Sequence, residues 1–186
     1  MISVPPVPSL PRSPRHPAAV PTPTTTSSNS DELGPHDGEG INVLHVCAGA
    51  DREGAYSRHL AAVGASCRDF DIVRDPSQDL TCQAAWTELA SSVEKGDFHG
   101  LQADPVCTTF SAVRGRAGGP RSVRGDGDLI FGLPDLSQKE KKQVDTDTII
   151  SDRVAHLAMV THGLGRPFAV EQPRLRSGCH HMFNLP

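Results

Sequence analysis

From Ile41 onward the chain alternates short apolar runs with stretches of helical spacing, and this alternation limits its possible folds more than any other feature. Residues 41–47 form an apolar run that ends in a glycine turn, and residues 56–63 then repeat apolar side chains at helical spacing until Gly64 stops them. Residues 65–72 read as a second strand, 81–93 as a second helix, and 98–103 as a third strand running into an Asp-Pro turn. After a Gly/Arg-rich loop, residues 137–164 carry a long helical pattern, with Ile149, Ile150, Val154, Leu157 and Val160 on one stripe, and residues 167–170 make a fourth strand. Strands joined through helices pair in parallel, because each crossover returns the chain to the same end of the sheet. The expectation is an α/β, Rossmann-like, doubly wound and mostly parallel sheet. Ligands in such sheets sit outside the carboxyl ends of the strands, at the point where the strand order reverses.

The first 40 residues are different material. Nine of the 16 prolines fall there, among Ser, Thr and Gly, so this segment has too little apolar surface to offset its ordering entropy. It reads as a disordered leader ahead of a catalytic-size unit over residues 41–186. Arg12 and Arg15, with no acid before Asp31, faintly resemble a transit peptide, but the prolines forbid the amphipathic helix such a signal needs. Docking of a proline-rich segment to an SH3-type partner is another reading, but Pro-x-x-Pro strings are common in disordered chain and plain disorder is the favoured one. No run approaches the roughly 18 apolar residues of a membrane span. The formal charge of −4 does not announce nucleic-acid binding, so any phosphate contact has to come from a local basic patch. Five cysteines without pairing spacing, and without a signal peptide, point to free thiols in a reducing, intracellular compartment.

Three strand ends carry candidate chemistry. Ala48, Gly49 and Ala50 open a loop between a strand and a helix, where backbone can approach a ligand and the helix can offer free N–H groups; the same turn also occurs with no ligand. Asp71 ends the second strand about 20 residues on, where a carboxylate can accept both hydroxyls of a ribose, or simply form a turn beside Asp69 and Asp75. Asp104-Pro-Val-Cys-Thr-Thr-Phe-Ser111 sets Cys107 on a loop stiffened by Pro105 at the end of the third strand. A thiolate needs a lowered pKa and a fixed geometry to act as a nucleophile, and helix N-termini and arginines near a strand end can provide both. Arg114, Arg116, Arg121 and Arg124 follow in a glycine-rich stretch able to hold a phosphate backbone. Glu171, in Val170-Glu-Gln-Pro173, ends the fourth strand and can act on a proton or pair with Arg174 and Arg176. Cys179-His-His181 has no second cluster at zinc spacing, so no metal site is expected from it.

Taken in order, the strand, glycine loop, Pro-x-Cys loop and Glu-x-Pro loop resemble the catalytic core of DNA (cytosine-5) methyltransferases. The likeness is nearest to methyltransferase-like modules of retroelement and algal polyproteins. It runs through Pro105–Ser111, Gly118–Pro120, Ser122–Arg124, Gly132–Pro134 and Glu171–Pro173, and covers residues 41–178. The resemblance implies a class I fold that binds S-adenosylmethionine, with Ala48, Gly49, Ala50 and Pro105 at the cofactor, Asp71 on its ribose, and Asp79-Leu80 beside its adenine. It further implies that Cys107 adds to carbon 6 of a flipped cytosine in DNA, that Glu171 supports protonation at ring nitrogen 3, and that carbon 5 takes the methyl group. A nuclear location would follow if DNA is the substrate.

Several positions depart from the family pattern. Val106 stands where a proline usually precedes the nucleophile, Gln172 stands for the Asn after the Glu, and Ala50-Asp51 interrupts the glycine-rich turn. Gln172-Pro-Arg-Leu-Arg176 spells a Gln-x-Arg-x-Arg sequence but abuts the Glu171 loop, and neither that element at its expected place nor a target-recognition region follows. The expectation is therefore a truncated module that works with a complementary C-terminal half or partner subunit, or else an inactive relative that binds without turnover.

Overall fold

The structure, a computed structural model, describes residues 40–111, 113–172, 182 and 185. The expected disordered leader, apart from Gly40, and the Cys179-His-His181 segment lie outside the described residues. Four strands form one sheet: β1 (Asn42–Val46), β2 (Ser66–Phe70), β3 (Gly100–Ala103) and β4 (Phe168–Val170). Their order is β2-β1-β3-β4 and every pairing is parallel, with Val46 opposite both Phe70 and Ala103 and Val170 opposite Ala103. All four chains therefore leave the sheet at the same edge. The order reverses between β1 and β3, which makes the gap between their carboxyl ends the switch point.

Three helices make the crossovers: α1 (Tyr56–Ala62), α2 (Gln83–Lys95) and α3 (Gln138–Gly163). Short alternation inside the strands decides which face each helix covers. Leu44 and Val46 of β1, Leu101 and Ala103 of β3, and Phe70 of β2 pack with Leu89 and Val93 of α2 and with Val154, Leu157 and Ala158 of α3 in one core. His45 faces the other way, where the ring of Tyr56 at the start of α1 meets it edge-on with centroids 5.2 Å apart. Helices on both faces of an all-parallel sheet make this an α/β, Rossmann-like arrangement.

Local chemistry sets the helix ends. α1 starts at Ala55 without a side-chain cap, buries none of its residues, and is followed by Gly64 at φ 80°, so it stays short. α3 begins with a capping box in which the Ser137 hydroxyl accepts from the Glu140 N–H while Glu140 accepts from the Ser137 N–H at 2.9 Å. α2 stops at Gly96, in the left-handed region, and Arg166 reaches back to the Gly96 and Phe98 carbonyls. That reach ties the start of β4 to the start of β3.

The expected stripe on α3 needs correction. Its buried residues are Val144, Asp147, Ser151, Val154, Leu157, Ala158 and Thr161, whereas Ile149 is 39% exposed and Ile150 and Val160 only flank the core. Polar residues occupy the inner face because each finds a partner: the Ser151 hydroxyl donates to the Asp147 carbonyl at 2.7 Å and the Thr161 hydroxyl to the Leu157 carbonyl at 2.8 Å. A stripe drawn from apolar residues alone is rotated away from the true one. The two positions should separate cleanly in urea unfolding. Leu157→Ala is expected to cost about 3 kcal/mol through the cavity it leaves, whereas Ile149→Ala should change stability by no more than about 0.5 kcal/mol.

Candidate functional site

At the end of β1 the chain turns sharply. Cys47 has φ 58°, a left-handed conformation that costs a residue with a Cβ and persists where its surroundings impose it. Its N–H donates to the Phe70 carbonyl at 2.9 Å, extending the sheet by one bond beyond Val46. Gly49, at φ 68°, then brings its N–H onto Asp71 Oδ2 at 2.9 Å, while Asp71 Oδ1 accepts from the Val73 N–H at 2.7 Å. Arg74 closes the clamp from below, donating from Nε to the Gly49 carbonyl at 2.7 Å. The glycine loop after β1 is thus held by the loop after β2 through both of its peptide groups.

The loops after β1, β3 and β4 enclose one cavity of about 390 Å³, lined by Cys47, Ala48, Gly49, Ala50, Arg52, Asp104, Pro105, Cys107, Glu171 and Gln172. Beside it, sharing Cys47, lies a smaller cleft of about 60 Å³ walled by Phe70, Ile72, Leu80, Val106 and Ile150 and bounded by Asp71, Gln78 and Asp79. Of the residues expected at a site, Ala48, Gly49, Ala50, Pro105, Cys107 and Glu171 line the larger cavity, and Asp71, Asp79 and Leu80 the smaller. Residues separated by more than 120 positions, from Ala48 to Glu171, meet here because parallel strands end at one edge.

The Cys107 loop is fixed from behind. Asp147 of α3 accepts from both the backbone N–H of Thr109, at 2.9 Å, and its hydroxyl, at 2.7 Å. Arg124 donates from Nε to the same hydroxyl at 3.0 Å, reaches the carbonyls of Ile130 and Val144 and the Thr148 hydroxyl, and lies 3.9 Å over the Phe110 ring. Burial pulls Arg124 down to about 10 and pushes Asp147 above the usual carboxylate range, the latter against the hydrogen bonds from Thr109. At 1% exposure Arg124 has no surface to offer a phosphate backbone, which corrects that expectation.

Two more of the expected phosphate contacts are already engaged. Arg114 holds the Thr108 and Arg121 carbonyls and Gln143, and Arg121 pairs with Asp135 and Glu140, each at 2.8 Å. Arg116 is exposed. None of the four arginines lines either cavity; Arg114, Arg121 and Arg124 brace the segment behind Cys107 rather than surround its thiol. The cation at the cavity is Arg52, inside the glycine loop, and its only signal in the sequence was its place between Gly49 and Gly54.

Cys47, Asp104 and Gln172, which were not among the expected site residues, also line the cavity. Burial, with Asp71 and Asp104 nearby, pushes the Cys47 thiol up to about 12, so it is protonated and inert at neutral pH. Gln172 presents Nε2 and Oε1 that are both buried and without a hydrogen-bond partner among the described residues. Such a side chain offers one donor group and one acceptor to whatever occupies the cavity. The Glu171 N–H donates to the Ala103 carbonyl at 2.8 Å, so the β4 ladder continues to the residue that carries the acid.

Comparison with family models, with curated proteins and with solved structures yields no match for this chain.

The bracing predicts that Arg124→Met, which leaves the buried Asp147 carboxylate without its nearby cation and takes a donor from the Ile130 carbonyl, lowers stability by about 3 kcal/mol. Limited proteolysis should then cut first in the segment 107–125. The thiols should also sort by alkylation with iodoacetamide at pH 8. Cys82, exposed and lowered by the N–H groups of Ala85 and Ala84, should react quickly, whereas Cys47 and Cys67, both pushed up to about 12, should resist until the chain is unfolded. Tryptic mass mapping reads the order.

Proposed function

We propose that the chain is an S-adenosylmethionine-dependent methyltransferase-like module that acts on cytosine in DNA through Cys107. The observation that carries this reading is the convergence of Cys107, Glu171 and the glycine loop on one cavity, next to an apolar cleft bounded by Asp71 and Asp79. A flat heteroaromatic group suits the walls of Phe70, Leu80, Val106 and Ile150. The carboxylate of Asp71 accepts one N–H on each oxygen and retains acceptor capacity for ribose hydroxyls. When bound, the cofactor would supply an electrophilic methyl group.

The chain's own residues would do the rest. As a thiolate, Cys107 would add its sulfur to carbon 6 of the pyrimidine, opening the 5,6 double bond so that its electron pair gathers at carbon 5, while Glu171 supports a proton at ring nitrogen 3; once carbon 5 carries the methyl group it would lose its proton, and the Cys107 sulfur would leave as the double bond re-forms. Pro105, buried at the base of the loop, and the Thr109–Asp147 pair keep the thiol in place. Gln172 offers its amide to the edge of the base, and Arg52 supplies positive charge at the mouth. The complementary C-terminal half implied by the resemblance would supply base recognition.

A second reading, binding without turnover, has its own supporting observation: the arginines expected to activate Cys107 are engaged with Asp135, Glu140, Gln143 and buried carbonyls.

Calorimetric titration of S-adenosylmethionine into the full chain separates these readings from neither. Binding is expected, weakened about tenfold or more by Asp71→Asn, a loss of roughly 1.4 kcal/mol. Incubation with cofactor and DNA containing 5-fluorocytosine should then give an adduct that survives denaturation and disappears in Cys107→Ser. Cofactor binding without an adduct would leave the binding-only reading, and a folded chain with no heat of binding would sink both.

A further inference from the structure

On the opposite face of the sheet from the apolar core, three side chains of β1 and β2 converge. His45 and Asp69 are directly paired across the two strands, and Cys67 precedes Asp69 by two residues and so shares its face. Nδ1 of His45 lies 3.1 Å from Asp69 Oδ1, and the Cys67 sulfur lies 3.7 Å from the same oxygen. All three candidate donor atoms fall within 4.8 Å of one another. In a tetrahedral site with nitrogen and oxygen near 2.0 Å and sulfur near 2.3 Å from the metal, donors sit roughly 3.3 to 3.7 Å apart, so small side-chain adjustments complete the geometry.

The surroundings match what a metal-binding histidine requires. Nε2 of His45 is 2.9 Å from Asp104 Oδ2, which leaves Nδ1 for a cation and orients the ring through a carboxylate. Asp104 is held in turn by Gln102 Nε2 on its other oxygen. Arg74 takes Asp69 Oδ2 at 2.6 Å and leaves Oδ1 turned toward His45 and Cys67. His45 is 3% exposed, so its ring is already desolvated and fixed. A ring that donates from Nε2 to Asp104 turns the lone pair of Nδ1 toward Asp69 Oδ1, and a cation can bridge those two acceptors.

We propose that His45, Cys67 and Asp69 form a three-donor site for a divalent transition metal of the zinc type, with Asp104 behind the histidine. A thiolate, an imidazole and a carboxylate together select zinc-like ions over magnesium or calcium. The cation displaces the Cys67 thiol proton, so loading falls as the solution is acidified. Binding here braces two loops of the candidate site, because Asp104 starts the Cys107 loop and Arg74 also holds the Gly49 carbonyl.

Cobalt(II) added to the chelator-stripped full chain is the probe, since its thiolate charge-transfer absorption reports sulfur ligation directly. One cobalt ion per chain with that absorption is expected, displaced by zinc and lost in both Cys67→Ser and Cys67→Ala. Cys47→Ser, Cys82→Ser and a Cys179→Ser/His180→Ala/His181→Ala variant should keep it. Absence of the absorption from the native chain, or its survival in either Cys67 variant, would overturn the proposal. Far-ultraviolet circular dichroism confirms that each variant is folded, and the two Cys67 replacements keep the result readable if one of them is not.

Discussion

The buried guanidinium of Arg124 joins three parts of the chain that are distant in sequence. It touches the Cys107 loop at Thr109, the turn 127–131 at the Ile130 carbonyl, and α3 at Val144 and Thr148. A charge removed from water is costly unless every donor is satisfied, and here hydroxyls, carbonyls and the face of Phe110 meet that demand. The requirement works in both directions. The loop behind Cys107 has to fold onto α3 for Arg124 to be solvated by protein, and once it has done so the position of Thr109, and of the thiol two residues before it, is set.

Strand-end acids divide the remaining work. Asp71 holds the glycine loop through Gly49, Asp69 holds Arg74 and one side of His45, and Asp104 holds the other side of His45. These contacts couple the loops after β1, β2 and β3 into one framework around the cavity. A change at any one of the three is therefore felt at the other two, through hydrogen bonds shorter than about 3.2 Å in a partly buried setting where they are strong.

Much of the fold was legible in the chain. Each predicted strand and helix has a counterpart within a few residues, because Gly54, Gly64, Gly96 and the Asp-Pro turn punctuate the apolar runs and glycine tolerates the positive φ those turns need. The strand-end rule likewise brought Ala48, Gly49, Asp71, Cys107 and Glu171 to one edge. The inner face of α3 was not legible, since Asp147, Ser151 and Thr161 are buried by virtue of partners that no periodicity reveals. Arg124 was misread for the same reason: a guanidinium in a glycine-rich stretch looks solvent-exposed until the carbonyls of Ile130 and Val144 are seen around it.

What the sequence determined by itself is the alternation of strands and helices, hence the parallel sheet and the edge where a site can form, because period and turn chemistry are local properties. Only the tertiary structure decided which side chains face the cavity and which serve as braces. It made Arg52, Cys47 and Gln172 lining residues, took Arg124 inside, and set His45 between Asp69 and Asp104. Burial and hydrogen-bond partners arise from contacts between distant segments, and a charged residue has the same letter whether it meets water or another part of the chain.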